Sequence, residues 1–183
     1  SRPVVPSSAA RPSAKGTGDL DEDVDDEWSP AQVSYDGAEL ELGHFVTTFE
    51  IGDDGYDESF GIETETGEFL GECGVAISEV IGSGVEKPVA FDIWLFDKSD
   101  IRTVTTVVAS EYANQDETLR AKLGAKGDVV LATPGQTVNL QTATLTVKAE
   151  IIDLEYGAEG DIPDESFFDK FTVELSPGAI ASL

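Results

Sequence analysis

The chain contains no methionine, one cysteine (Cys73), one histidine (His44) and 11 Lys/Arg in 183 residues. Each scarcity removes a class of function. One cysteine admits no internal disulfide and cannot supply the two or more thiolates of a Cys-based zinc site. One histidine leaves no His–His metal pair, and Cys73 with His44 is the only thiol–imidazole dyad the chain could build. Cys73 lies in "FLGECGVAIS", beside Glu72 and within an apolar run. It lacks the basic neighbours that activate a thiol, so it reads as a small core residue. His44 follows Gly43 in a strand-like run and reads as structural, since a working imidazole needs a specific partner. No apolar run approaches the ~18 residues that a membrane-spanning helix requires. G-x-S-x-G, phosphate-loop and dinucleotide fingerprints are also missing, and "GSGVEK" (82–87) has glycines but no helix behind it. An enzyme is not expected.

Positive charge is the next scarcity. Against the 11 cations stand 37 Asp/Glu, a formal charge of −26. Residues 1–32 carry three Lys/Arg and seven Asp/Glu, and the remainder carries eight against 30, a net of −22. Such a surface repels phosphate backbones, so nucleic-acid binding is excluded. Anionic lipid headgroups are disfavoured for the same reason. The acid excess favours solubility, cation uptake, basic partners or a salty milieu. With no methionine and a start at Ser1, the chain is expected to be a processed product or a fragment.

What is present divides at about residue 32. Residues 1–18, "SRPVVPSSAARPSAKGTG", have linker composition and hold Arg2, Arg11 and Lys15. Residues 19–27 then place seven acids in nine positions, ending against Trp28. The acid run fails as an EF-hand. That loop needs Gly at position 6 and Glu at 12, but the register from Asp19 puts Val24 and Pro30 there, and that from Asp21 puts Asp26 and Gln32. An isolated Trp in a linker docks on its own domain or on a neighbour, because water excludes so large an apolar ring. Residues 1–32 therefore read as an extended docking tail, with Trp28 as anchor and Arg2, Arg11 and Lys15 as its charged contacts.

Residues 33–183 read as one all-β domain, an antiparallel β-sandwich with one short helix. Hydrophobic residues make up 40% of the chain, enough to bury a core. In 38–51, Leu40 and Leu42 share one parity and Phe45, Phe49 and Ile51 the other, with a bulge expected at Gly43. "DDG" (53–55) suggests a hairpin into a strand bearing Tyr56, Phe60 and Ile62. In "VAFDIWLFD", Phe91, Ile93 and Leu95 alternate with Trp94 and Phe96; apolar character on both faces predicts a central strand, with Trp94 in the core. Residues 99–112 are ambiguous. Ile101, Val104, Val108 and Tyr112 match helical spacing with Ser99 as N-cap, yet the β-branched residues argue for a strand. "NQDETLRAKLG" predicts the one helix, near 115–123. No turn signal separates Val138–Leu140 from Leu145–Ile151, so one long bulged strand is expected there. Period-two runs without helices between them give the sandwich.

Two acidic turns, "GDDGYDE" (52–58) and "EGDIPDES" (159–166), are the candidate cation sites. Asp53, Asp54, Asp57 and Glu58 are the weak metal candidates, with calcium as the cofactor they would take. Calcium requires six to eight oxygens, which neither turn supplies alone. Carboxylate pairs at glycosidase spacing arise by chance among 37 acids and carry no signal.

The stretch "AFDIWLFDKSDIRTVTTVVASEYA…LRAKL…KGDVVLATPGQTVNLQTATLTVKAEIIDLEYG" resembles an uncharacterised bacterial domain family over residues 88–175. Members of that family follow a single membrane-spanning segment and a Pro-rich linker. The resemblance implies a membrane anchor upstream, a membrane-tethered or cell-surface setting, and residues 1–18 as a spacer from the bilayer. It carries over no functional residue. Two readings result: a non-enzymatic structural module that associates with copies of itself or a larger protein assembly through its tail, or a calcium- or ligand-binding sandwich working through acidic loops.

Overall fold

Alternation in residues 88–97 sets the centre of the molecule: Phe91, Ile93 and Leu95 are fully buried, whereas Asp92, Trp94 and Phe96 on the other parity are half-buried. The computed structural model describes residues 39–180. The chain divides into two units, Ser1–Glu39 and Leu40–Leu183, and the sandwich belongs to the second. In chain order the described residues form β1 (Glu39–Glu41), β2 (Phe45–Glu50), β3 (Asp57–Glu63), β4 (Phe69–Val80), β5 (Pro88–Asp97) and β6 (Arg102–Ala109). There follow α1 (Glu111–Gln115), α2 (Glu117–Gly124), β7 (Asp128–Leu131), β8 (Thr137–Gln141), β9 (Leu145–Tyr156) and β10 (Phe168–Ile180).

The strands make two five-stranded sheets. One runs β3-β4-β5-β6-β7; the other runs β1-β10-β9-β8, with β2 also pairing β10. Their inner faces share one core, in which Phe49, Phe91, Phe168 and Phe171 are all buried. Phe91 of one sheet stacks on Phe171 of the other at 4.4 Å and 4°. Phe45 stacks on Phe60 at 4.7 Å across the side where β2 and β3 lie. Such pairs add about 0.5–1.5 kcal/mol beyond the area they bury.

The all-β expectation holds, and the helical content is small. Residues 53–55 do turn, but β2 and β3 do not pair: β2 lies against β10 and β3 against β4, so the turn carries the chain from one sheet to the other. The 99–112 ambiguity resolves to strand β6 over 102–109, because alternating β-branched residues pair well along β5 and a helix would restrict them, while Tyr112 falls in the helix that follows. Helix α2 starts at the N-cap Asp116, whose carboxylate accepts from Leu119 N at 3.0 Å. A second short helix, α1, precedes it, capped by Ser110 accepting from Ala113 N at 3.1 Å. Together they form the crossover that lets β7 run parallel to β6, a departure from the expected antiparallel pairing. The helices also cover part of the outer face of the β5 sheet, over Ala90, Val107 and Ala109. Trp94 is therefore outward-facing and half-buried, where a core position was expected. Its ring lies over Gly74, at which any Cβ would sit 2.6 Å from the indole.

The largest difference from expectation is at residues 137–156. These form a hairpin, β8 and β9 pairing from Thr137↔Glu150 to Gln141↔Thr146, rather than one long strand. The turn, Thr142–Thr144, has no Gly, Asn or Asp of its own. Its chemistry comes from Asp97, 45 residues earlier in the chain.

Two substitutions test this packing in opposite directions. Phe91→Ala empties the centre of the core and is expected to lower the unfolding free energy by about 3–5 kcal/mol. Ile101 has φ +47° and is 81% exposed, so a β-branched residue occupies left-handed backbone without compensating burial. Ile101→Asn is expected to raise stability by about 1 kcal/mol, since Asn tolerates that conformation. Urea unfolding at neutral pH reads both; equal effects of the same sign would contradict the assignment.

Candidate functional site

The sandwich has two polar centres of different kinds. The first is the acidic turn joining the sheets. Asp53, Asp54, Asp57 and Glu58 are all exposed around it. With Val46, Thr47, Thr48, Gly55 and Tyr56 they line an open depression of about 520 Å³. Two of the four carboxylates already hold backbone. Asp53 Oδ2 accepts from Glu50 N at 3.0 Å, and Asp54 Oδ1 accepts from Glu86 N at 2.9 Å. Glu86 returns the contact, its Oε1 accepting from Gly55 N at 2.6 Å. The turn is thereby pinned to the β4–β5 connection. Tyr56 forms the floor and shares a hydrogen bond with the Thr47 hydroxyl. Burial pushes its phenol up to about 12, against a lowering by the Thr47 hydrogen bond and with smaller raising by Glu58 and Asp53. The phenol therefore stays neutral and serves as a hydrogen-bonding group.

Among the described residues, no three His, Cys, Asp or Glu side chains converge in a way that could hold a metal ion. The second acidic turn is likewise engaged locally: Glu159 pairs at 3.6 Å with Lys87, which is only 4% exposed and donates to the Ser83 and Val85 carbonyls. Cys73 is fully buried in the shared core, and burial, aided by Glu72, pushes its thiol up to about 12. It is a packing residue with no thiolate at neutral pH. His44 is exposed beside the β10 sheet and paired with Glu174, whereas Cys73 is buried on the other sheet. Trp28, Arg2, Arg11 and Lys15 lie outside the described residues.

The second centre was missed by sequence reading. Asp97 ends β5, is 0% exposed and accepts five hydrogen bonds. Oδ1 takes Ser99 N at 2.9 Å and Ser99 Oγ at 2.8 Å. Oδ2 takes Thr142 Oγ1 at 2.7 Å, Thr144 N at 3.0 Å and Thr144 Oγ1 at 2.8 Å. Gly71 of β4 gives the room, since a Cβ there would fall 2.1 Å from the Phe96 carbonyl and 2.7 Å from Leu145. Asp-Lys-Ser at 97–99 is a recognisable Asx-turn pattern, the only signal the sequence offered. Burial raises the Asp97 pKa. The donors from Thr142, Thr144 and Ser99 outweigh it and hold the carboxyl well below the usual carboxylate range. A fully satisfied, permanently ionised group of this kind is a structural crosslink. It offers no proton to transfer at neutral pH.

No protein-family model, curated protein or solved structure matches the chain.

Because the folded carboxyl lies below its unfolded value of ~3.9, the stability it contributes is fully present above that value and is lost progressively as pH falls from there toward the folded value. Asp97→Asn is expected to cost about 2–4 kcal/mol at pH 7, since two acceptor oxygens become one and an amide donor faces other donors. The gap between parent and variant should narrow below about pH 4. Urea midpoints for both proteins at pH 7 and pH 3 measure it, and a gap independent of pH would refute the role given to the carboxylate.

Proposed function

We propose that this chain is a non-enzymatic structural module of a homo-oligomeric or larger protein assembly, with residues 1–32 as its tether. One observation carries the reading: the distribution of cations. Lys87, Arg120, Lys122, Lys126 and Lys170 each engage a carbonyl or carboxylate within the same body. The side of the sandwich at β2 and β3 is acid-lined and open. Residues 1–18 hold Arg2, Arg11 and Lys15 and no acid. Negative charge on the body and positive charge on residues 1–18, the first part of the tail, favour association between copies, weakened by salt. Trp28 adds the apolar anchor that charge alone lacks. A membrane-associated or filamentous assembly suits this arrangement, although no helix among the described residues is long and apolar enough to cross a membrane.

The alternative, a calcium- or ligand-binding sandwich, draws on the depression at Asp53–Glu58. Melting with and without calcium separates the two, because calcium at 100 times its dissociation constant would add about 2.7 kcal/mol. No shift is expected on the assembly reading.

The main test removes residues 1–27 and converts Trp28→Ala. The assembled fraction in sedimentation velocity should fall while the β-rich circular dichroism spectrum is retained. A variant that assembles as well as the parent would reduce the tail to a spacer and overturn the proposal.

A further inference from the structure

Strand β3 is the terminal strand of its sheet, bonded to β4 on one side only. The Tyr56 carbonyl accepts from Ile77 N at 3.1 Å, which sets the ladder's phase. Hydrogen bonding to β4 then falls at Glu58, Phe60 and Ile62, their Cα partners being Val75, Cys73 and Gly71. Asp57, Ser59 and Gly61 turn their backbone N–H and C=O groups to the open side. An unpaired edge of this length is a template for an added strand.

Charge decides which strand it accepts. Residues 51–68 hold Asp53, Asp54, Asp57, Glu58, Glu63, Glu65 and Glu68, with no Lys or Arg. Two β3 edges brought together would oppose carboxylates, so the edge rejects its own copy. A basic extended segment meets complementary charge at both ends of the strand, at Asp57 and Glu58 and at Glu63. Residues 1–18 supply a basic segment with five consecutive residues other than proline. Ser7–Arg11, "SSAAR", lies between Pro6 and Pro12 and is flanked by Arg2 and Lys15. Its five residues match positions 57–61, and the bracketing prolines, which lack N–H groups, would stop pairing from running further.

We propose that the β3 edge of one copy receives Ser7–Arg11 of a second copy as an added strand, with Arg11 and its flanking cations set against Asp57, Glu58 and the Asp53–Asp54 turn. This rests on the assembly reading above and assigns its docking surface.

The test uses the full-length chain in sedimentation velocity over a concentration series. Ser59→Pro deletes an outward amide, and Asp57→Lys with Glu58→Lys reverses the edge charge while leaving every backbone donor in place. Arg11→Glu reverses the segment. Each is expected to weaken self-association about tenfold or more, with melting temperatures near the parent's. Combining Arg11→Glu with the lysine pair should restore most of the loss. If Ser59→Pro fails to fold, the lysine pair decides the outcome. Edge variants that assemble like the parent, while removal of residues 1–27 still dissociates it, would overturn the edge assignment alone. A parent that stays monomeric at every concentration, or that assembles without its tail, would overturn the assembly reading and this inference together.

Discussion

The Asp97 carboxylate is the constraint on which the corner of the sandwich depends. It ends the central strand of one sheet and organises the β8–β9 turn of the other through Thr142 and Thr144. The turn closes on itself through Thr142 N on the Leu145 carbonyl, and the Thr144 amide, at its tip, is taken by Asp97. The same carboxylate folds its own chain back through Ser99, and β6 leaves from that turn. Both sheets are thereby fixed in register at one end, while aromatic contacts such as Phe91 on Phe171 hold the middle. The cost of burying a charge is offset because each lone pair direction finds a donor, the condition under which buried ions are tolerated.

Much of this was legible in the sequence. Alternation fixed the inward set Phe91, Ile93 and Leu95, and the pattern of "NQDETLRAKLG" located α2 within two residues. The misreadings share one physical origin, which is that local signals do not report distant partners. Thr142–Thr144 looked like the interior of a strand because its turn-forming carboxylate lies far upstream. Ser99 looked like a helix cap because an Asx-turn and an N-cap use similar side chains. Residues 53–55 looked like a hairpin because a sheet-to-sheet corner and a hairpin use the same turn residues. Trp94 looked like core because an aromatic over Gly74 gains burial from its neighbours on an outer face as well.

The candidate site was legible in composition and illegible in geometry. Asp53, Asp54, Asp57 and Glu58 read as calcium candidates because they gather at one turn, yet Asp53 and Asp54 hold the backbone of their own turn and of Glu86. What the sequence could not give was that this turn carries the chain between sheets and leaves β3 with an unpaired side. Acidity there has a second use. It keeps the edge from pairing with itself, a protection that edge strands commonly need, and it leaves the edge open to a strand of opposite charge.

Backbone amide exchange resolved by residue, on the full-length protein under assembling conditions and again in dissociating salt, tests the docking of a strand on β3 most directly. Exchange at Asp57, Ser59 and Gly61 should be slow in the assembly and fast in the dissociated protein, while Glu58, Phe60 and Ile62, bonded to β4, stay protected in both. Fast exchange at Asp57, Ser59 and Gly61 in a fully formed assembly would contradict it.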